Sequence, residues 1–229
     1  MAHTHVTPAA ASRNRLRIVF GITLAVFAFE LVGGIAANSL ALIADAGHLL
    51  TDVAGIGLTL VAIWFAGRPA NRNRSYGLMR LEILAAVVNA MLLFAVAAYV
   101  LVEAWRRWNA PPEVDSEVML LVAVVGLVAN GISLMVLRDA QRESLPMRGA
   151  YLEVMGDLFG SVAVIIAALV IAATGQVRAD AIASVLIGLL ILPRTWTLLK
   201  DAVDVLLEAS PKGIDLGDVR THILEAPGV

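Results

Sequence analysis

The sequence predicts an all-helical membrane protein with six transmembrane helices. Of its 229 residues, 59% are hydrophobic and only 16% are charged, and the mean hydropathy is +0.83. A typical soluble domain is about 45–50% apolar and about 25% charged, so both values argue against a water-soluble globular enzyme. The chain has no cysteine, which excludes disulfides, thiolate metal sites and cysteine nucleophiles. A net charge of −2 gives no basic surface for nucleic acid.

Six apolar runs are long enough to cross a bilayer, for which a helix needs about 20 mostly apolar residues. The predicted spans are Leu16–Ala37, Leu40–Ala66, Leu81–Trp105, Val118–Leu137, Tyr151–Thr174 and Ala181–Leu199. The first run follows basic residues, as a cleavable signal peptide does. It is long for a signal, however, and it contains Glu30. We therefore interpret it as the first span, preceded by a cytoplasmic tail of residues 1–15.

The distribution of basic residues predicts that both termini are cytoplasmic. Cytoplasmic loops of membrane proteins carry an excess of Lys and Arg. Fourteen of the 17 basic residues fall on the side of the six spans that holds both termini. The opposite side has only Arg106, Arg107 and Arg178. The chain is therefore expected to be a multipass protein of the cell (inner) membrane with both ends inside.

Ionisable residues within the spans are the strongest indication of function. Such a residue costs about 2.5–3.5 kcal/mol when it faces lipid, so those present are expected to face the protein interior. His48 and Asp52 lie one helical turn apart in the second span, and Glu153 and Asp157 lie one turn apart in the fifth. Two helices that each present such a pair can build a four-coordinate site, and imidazole and carboxylate groups suit Zn²⁺. No basic residue in these two spans neutralises the acids, so the cluster is expected to hold a cation.

Other polar positions in the spans have weaker interpretations. Asp45 shares the helical stripe of the second-span pair, and Glu30 and Asp180 lie in or at the edge of other spans. These three acids are candidate secondary or pathway residues. The alternative for every polar group here is a hydrogen bond that only holds helices together. Gly156 and Gly160 have the small-xxx-small spacing that lets helices pack closely, and packing is the interpretation that we adopt for them.

The residues of the second and fifth spans resemble motifs of the cation diffusion facilitator family. The stretch Asn38–Asp52 (NSLALIADAGHLLTD) is similar to the family's second-span signature, and Ala150–Ser161 (AYLEVMGDLFGS) is similar to its fifth span. Residues 76–89 resemble the entry to its third span, and residues 179–211 resemble its sixth span and exit. The motifs occur in the family's order over nearly the whole chain. The resemblance is nearest to the bacterial zinc, cadmium and cobalt exporters.

This resemblance implies a homodimeric transporter that exports divalent cations from the cytoplasm in exchange for protons by alternating access. It implies Zn²⁺ as the first cargo, with Cd²⁺, Co²⁺, Mn²⁺ or Fe²⁺ as others, and it assigns His48, Asp52 and Asp157 as ligands. At the fourth position Glu153 stands where the zinc branch usually has histidine. Three carboxylates and one imidazole form a harder ligand set, which moves the preference toward Mn²⁺, Fe²⁺ or Co²⁺. No cofactor is expected, because the metal is cargo.

The end of the chain resembles the first helix of the family's cytoplasmic domain. The chain is therefore expected to consist of the tail, a transmembrane domain over residues 16–208, and the start of a truncated cytoplasmic domain over residues 209–229. A dimer is expected by analogy with the family.

Two other functions compete with metal transport. An intramembrane zinc protease would present a His-Glu-x-x-His helix. That motif is absent, and His48 is the only histidine within the predicted spans, so no enzyme is expected. An uncoupled cation channel, or an inactive structural subunit, would use the same acids without proton exchange. Metal flux through such a channel would be indifferent to a pH gradient.

Overall fold

The computed structural model describes residues 8–66, 80–142, 145–209 and 216–225, and within these ranges the only regular structure is helical. Residues 67–79, between the second and third helices, lie outside the described residues, and with them Arg68, Arg72 and Arg74 of the predicted cytoplasmic side. A 3₁₀ turn at Ala140–Arg142 follows the fourth helix. The α-helices are α1 (Pro8–Ala36), α2 (Leu40–Ala66), α3 (Arg80–Asn109), α4 (Ser116–Leu137), α5 (Leu145–Thr174), α6 (Arg178–Leu206) and α7 (Leu216–Leu224).

Helices α1 to α6 match the predicted spans to within one residue or extend beyond them, and α1 ends at Ala36, one residue before the predicted end. In lipid every backbone polar group must be paired within the chain, so apolar runs of this length fold as helices. Among the residues that the structure describes, five segments are long and apolar enough to cross a membrane: Arg17–Ala36, Ala86–Asn109, Ser116–Leu137, Met147–Thr174 and Arg178–Leu206. Helix α2 has 27 residues, which is a spanning length. Its assignment as a membrane span, which brings the number of spans to six, rests on the sequence.

Helix α1 begins before its membrane segment, which starts at Arg17. It starts at Pro8, inside the range expected to be an N-terminal tail. Proline suits the first position of a helix because the N–H that it lacks would have no intrahelical partner there. The apolar pattern marks only the part of a helix that lies in hydrocarbon, so it does not report the polar turns that precede the membrane segment.

The helices pack so that α2 and α5 face each other across the bundle. Helix α3 packs against α6, α4 packs against α5, and α1 lies against both α2 and α4. Helix α2 also contacts α3 and α6, and it approaches α5 over a short stretch. The main apolar core contains side chains from α2, α3, α4, α5 and α6. A second apolar cluster includes Val19, Leu137 and Met147, from α1, α4 and α5.

Candidate metal centre

His48 and Asp52 on α2 meet Asp157 on α5. The Nε2 atom of His48 lies 3.6 Å from Oδ2 of Asp52 and 3.4 Å from Oδ1 of Asp157. One ligand atom from each of the three side chains lies within 4.8 Å of the other two. The side chain of Asp157 is 3% exposed, and those of His48 and Asp52 are 12% exposed. The three groups therefore form a compact cluster that is nearly closed to solvent.

The two separations from His48 fit a tetrahedral cation. Zn²⁺ binds imidazole nitrogen and carboxylate oxygen at about 2.0–2.2 Å, which places neighbouring ligand atoms about 3.3–3.6 Å apart. Both distances from His48 Nε2 fall in that range. Nδ1 of His48 has no hydrogen-bond partner in the part of the chain that the structure describes, so Nε2 is the nitrogen aimed at the carboxylates. Two buried carboxylates beside one imidazole need protons or a cation to offset their charge.

A cavity of about 360 Å³ opens beside the cluster, between α2, α5 and α6. Its charged or titratable lining residues are Asp45, His48 and Asp157, and leucine, isoleucine and phenylalanine side chains form most of the rest. Asp45 is 3% exposed. The structure thus places Asp45, predicted as a secondary residue, in the same cavity as two of the predicted ligands.

Two glycines of α5 line this cavity and differ in what they contact. A Cβ atom added at Gly160 would lie 2.9 Å from Oδ1 of Asp45, so this glycine makes room for the carboxylate. A Cβ atom added at Gly156 would meet nothing within 4 Å. The interpretation of both glycines as helix-packing residues is therefore wrong for Gly156, which borders open space.

Glu153, the predicted fourth ligand, lies one turn before Asp157 on α5 and is partly exposed. It is not among the side chains whose ligand atoms gather within 4.8 Å of one another. The structure therefore brings three of the four predicted ligands together. Ligation by Glu153 stays a prediction.

Asp180 contacts the beginning of α2. Its carboxylate accepts hydrogen bonds from the Ser39 hydroxyl at 2.6 Å and from the backbone N–H groups of Leu40 at 2.8 Å and Ala41 at 3.1 Å. Nη1 of Arg107 lies 3.7 Å from the same carboxylate, which is 1% exposed. A carboxylate at a helix N-terminus pairs N–H groups that have no intrahelical partner and complements the helix dipole. These contacts join α2, α3 and α6, and a pathway role for Asp180 stays a prediction.

Arg107 was counted in the sequence only as a basic loop residue, and the structure gives it a specific position. Its guanidinium donates from Nη1 to the backbone oxygen of Asn38 at 2.7 Å and from Nη2 to the side-chain oxygen of Asn38 at 3.2 Å. Nε donates to Glu103 at 3.3 Å. Asn38 has φ of +52°, a conformation that asparagine tolerates better than most residues. The i,i+4 spacing from Glu103 to Arg107 was the available signal.

Glu30, the remaining candidate, is buried between α1 and α4. Its carboxylate is 1% exposed and lies against Gly126 of α4. It is outside the three-residue cluster. Of the sequence-predicted acids, Asp52 and Asp157 join His48 in a metal-type cluster, and Asp45 lines the cavity beside it. Asp180 caps α2, Glu30 is buried against α4, and Glu153 lies outside the cluster.

A bundle of membrane-length helices with a buried imidazole–carboxylate cluster between two of them defines a polytopic membrane protein suited to binding metal cations. Residues 16–207 match the family described as the cation efflux transmembrane domain, and the chain belongs to this family. The resemblance to the cation diffusion facilitators is thereby confirmed.

Three relatives illustrate the similarity. The chain is 48% identical to the metal cation efflux system protein CzcD of Cupriavidus metallidurans, over 99% of this chain and 72% of that protein. It is 42% identical to the zinc transporter ZitB of Escherichia coli, over 97% of this chain and 73% of that protein. It is 36% identical to a protein of Bacillus subtilis named as a cadmium, cobalt and zinc/H(+)-K(+) antiporter, over the full length of this chain and 74% of that protein.

Proposed function

We propose that this chain exports divalent metal cations, with Zn²⁺ as the principal cargo, from the cytoplasm in exchange for protons. The observation that carries this proposal is the cluster of His48, Asp52 and Asp157, whose ligand atoms lie within 4.8 Å of one another between two helices. Two anionic ligands and one neutral ligand match the charge of a divalent cation. The names of the relatives support metal efflux, and the name of the Bacillus subtilis protein supports exchange with protons.

The coupling follows from the chemistry of the ligands. A carboxylate or an imidazole must lose its proton before it coordinates a metal, so bound metal and bound protons exclude each other at one site. Cytoplasmic metal enters the cavity between α2, α5 and α6 and displaces protons from the cluster. Rearrangement of helix packing then opens the site to the other side, where protons displace the metal. Asp45, in the same cavity, attracts the cation on its way to the ligands.

We place both termini in the cytoplasm and the chain in the inner membrane, because 14 of the 17 basic residues lie on the side of the termini. We also propose a homodimer, by analogy with the family.

Glu153 is proposed as the fourth ligand in the metal-loaded state. It lies on the same helix as Asp157, one turn away, and it sets the preference between Zn²⁺ and harder cations.

An enzymatic role is not proposed. A zinc hydrolase keeps an open coordination position and a general base, and zinc proteases carry the His-Glu-x-x-His helix that this sequence lacks. Nor is the metal a resident cofactor, because a transport site must release the ion that it binds.

The test is metal and proton flux in proteoliposomes that contain the full chain. With an inward Zn²⁺ gradient, the wild-type protein should carry Zn²⁺ in and protons out, and an opposing proton gradient should slow the Zn²⁺ flux. Asp157→Asn should abolish both fluxes, because it removes a ligand charge and keeps the shape of the side chain. Glu117→Gln, at an exposed acid of the first turn of α4, is the control and should behave as wild type.

The outcomes separate the proposed antiporter from its competitor. Zn²⁺ flux without proton movement would point to an uncoupled channel and would contradict the exchange mechanism. Full activity in Asp157→Asn would contradict the assignment of the site. Cd²⁺, Co²⁺ and Mn²⁺ in the same assay rank the cargoes.

A further inference from the structure

Glu30 on α1 is a buried carboxyl group that the proposed metal site does not use. Its side chain is 1% exposed, and neither Oε1 nor Oε2 has a hydrogen-bond partner within the described ranges. No basic side chain in those ranges forms an ion pair with it. An ionised carboxylate without a partner is so costly to bury that such a group takes up a proton instead.

Gly126 of α4 borders both Glu30 and a second polar group, the hydroxyl of Ser161 on α5. A Cβ atom added at Gly126 of α4 would overlap Oε1 of Glu30, and the same position lies 3.5 Å from the hydroxyl of Ser161 on α5. Ser161 is 1% exposed, and its hydroxyl has no partner in the described part of the protein. Asn130 and Ser133 continue the buried face of α4 beyond Gly126. Glu30 therefore lies against a helix face that also carries two uncharged polar side chains.

The charged groups that act on Glu30 are both negative. Helix α1 packs against α2 and α4. Helix α2 contributes Asp45, and Asp157 acts from α5. The buried face of α4 carries no charged side chain.

We infer that Glu30 is a proton-binding site of the transport cycle that is separate from the metal cluster. In the conformation described here Glu30 holds one proton as a neutral carboxylic acid against Gly126, the glycine that also borders the hydroxyl of Ser161. A metal is a poor occupant, because one carboxylate and one hydroxyl supply too few ligands.

The proposed step assumes the antiport described above and involves no change of oxidation state. A proton from the side opposite the cytoplasm adds to one oxygen of the Glu30 carboxylate. When a divalent cation binds at His48, Asp52 and Asp157, its charge offsets the repulsion from the acids and favours the carboxylate form of Glu30. The O–H bond then breaks, and the proton leaves to the cytoplasm.

Infrared difference spectroscopy on the full chain in lipid nanodiscs tests this inference without relying on transport. Addition of Zn²⁺ to the wild-type protein should remove the C=O stretching bands of protonated carboxylic acids, one of them from Glu30. Glu30→Gln should lack that one band and keep those of the metal cluster, and the exposed-site control Glu117→Gln should retain them all. In proteoliposomes, Glu30→Gln should move one proton fewer per Zn²⁺ than wild type. An unchanged band or an unchanged proton count in Glu30→Gln would overturn the inference.

A second pair of variants keeps the test decisive if Glu30→Gln does not fold. Gly126→Ala places a methyl group against Oε1 of Glu30 and should shift the frequency of the same band. Gly131→Ala on the same helix meets nothing within 4 Å and should leave it unchanged. Equal spectra from the two variants would contradict the assignment to Glu30. Zn²⁺ flux without any proton movement in the wild-type protein would refute the antiport itself, whereas full wild-type stoichiometry in Glu30→Gln would refute only the role of Glu30.

Discussion

A methyl group added at Gly160 should impair metal transport, whereas the same change at Gly156 should not. Both glycines lie on the cavity side of α5, one turn apart. A Cβ atom at Gly160 would lie 2.9 Å from Oδ1 of Asp45, and ordinary contact begins near 3.4 Å. The Asp45 carboxylate, which is 3% exposed, must therefore retreat by about 0.5 Å.

The magnitude follows from this displacement. A misplacement of about 1 Å at a reactive centre costs roughly 100-fold in rate. Half of that distance, on a logarithmic scale, predicts a loss of about tenfold for Gly160→Ala. Gly156→Ala adds its methyl group to open space. Alanine also stabilises a helix interior by about 0.5–1 kcal/mol relative to glycine, so this variant should be as stable as wild type or more so.

The assay is the initial rate of Zn²⁺ uptake into proteoliposomes at subsaturating Zn²⁺, with the thermal unfolding of each variant measured in detergent. Gly160→Ala should lose rate, and Gly156→Ala should keep both rate and stability. Equal rates in the two variants, or a loss confined to Gly156→Ala, would refute the placement of Asp45 against Gly160.

Three further predictions follow from the site and its supports. Asp180→Ala should lower the free energy of unfolding by about 3 kcal/mol, because it leaves the buried N–H groups at the start of α2 unpaired. The control Arg106→Ala, at a 74% exposed side chain, should change it by less than about 0.5 kcal/mol. Similar unfolding curves for the two variants would contradict the role of Asp180 as the cap of α2. Zn²⁺ affinity measured by calorimetry should fall as the pH falls, because His48 and the carboxylates must be deprotonated to bind the metal. The fall should reach up to about tenfold per pH unit for each proton that competes with the metal, and an affinity independent of pH would contradict ligation by these groups. Glu153→His should raise the transport of Zn²⁺ relative to Mn²⁺ in a competition assay, and an unchanged ratio would remove Glu153 from the ligand set.

The helices, and the meeting of His48 and Asp52 with Asp157, could be predicted from the sequence because one physical constraint dominates each of them. Apolar runs of membrane length must be helical, since lipid offers no partner for backbone polar groups. The i,i+4 spacing of His48 and Asp52 places both on one face of α2 in any helical arrangement. Asp157 on α5 could be paired with them because isolated acids inside a span are too costly to leave alone.

The remaining features depend on contacts that no local pattern encodes. Asp180 is an acid at the start of a span, and its contact with the first turn of α2 depends on the packing of α6 beside that turn. Gly156 and Gly160 have the same spacing signature, and only the position of α2 decides which of them meets a carboxylate. Glu153 shares a helix face with Asp157, and whether it joins the ligands depends on side-chain torsions that the sequence does not fix.

X-ray absorption at the zinc edge, recorded on the Zn²⁺-loaded full chain, tests the assignment of the metal site most directly. The account predicts one ion per chain with a tetrahedral shell of nitrogen and oxygen ligands at about 2.0–2.2 Å, including an imidazole contribution from His48. Asp157→Asn should lose or alter this shell, and Glu117→Gln should keep it. An identical shell in wild type and Asp157→Asn, or a shell without imidazole, would contradict the claim that the cargo binds between α2 and α5.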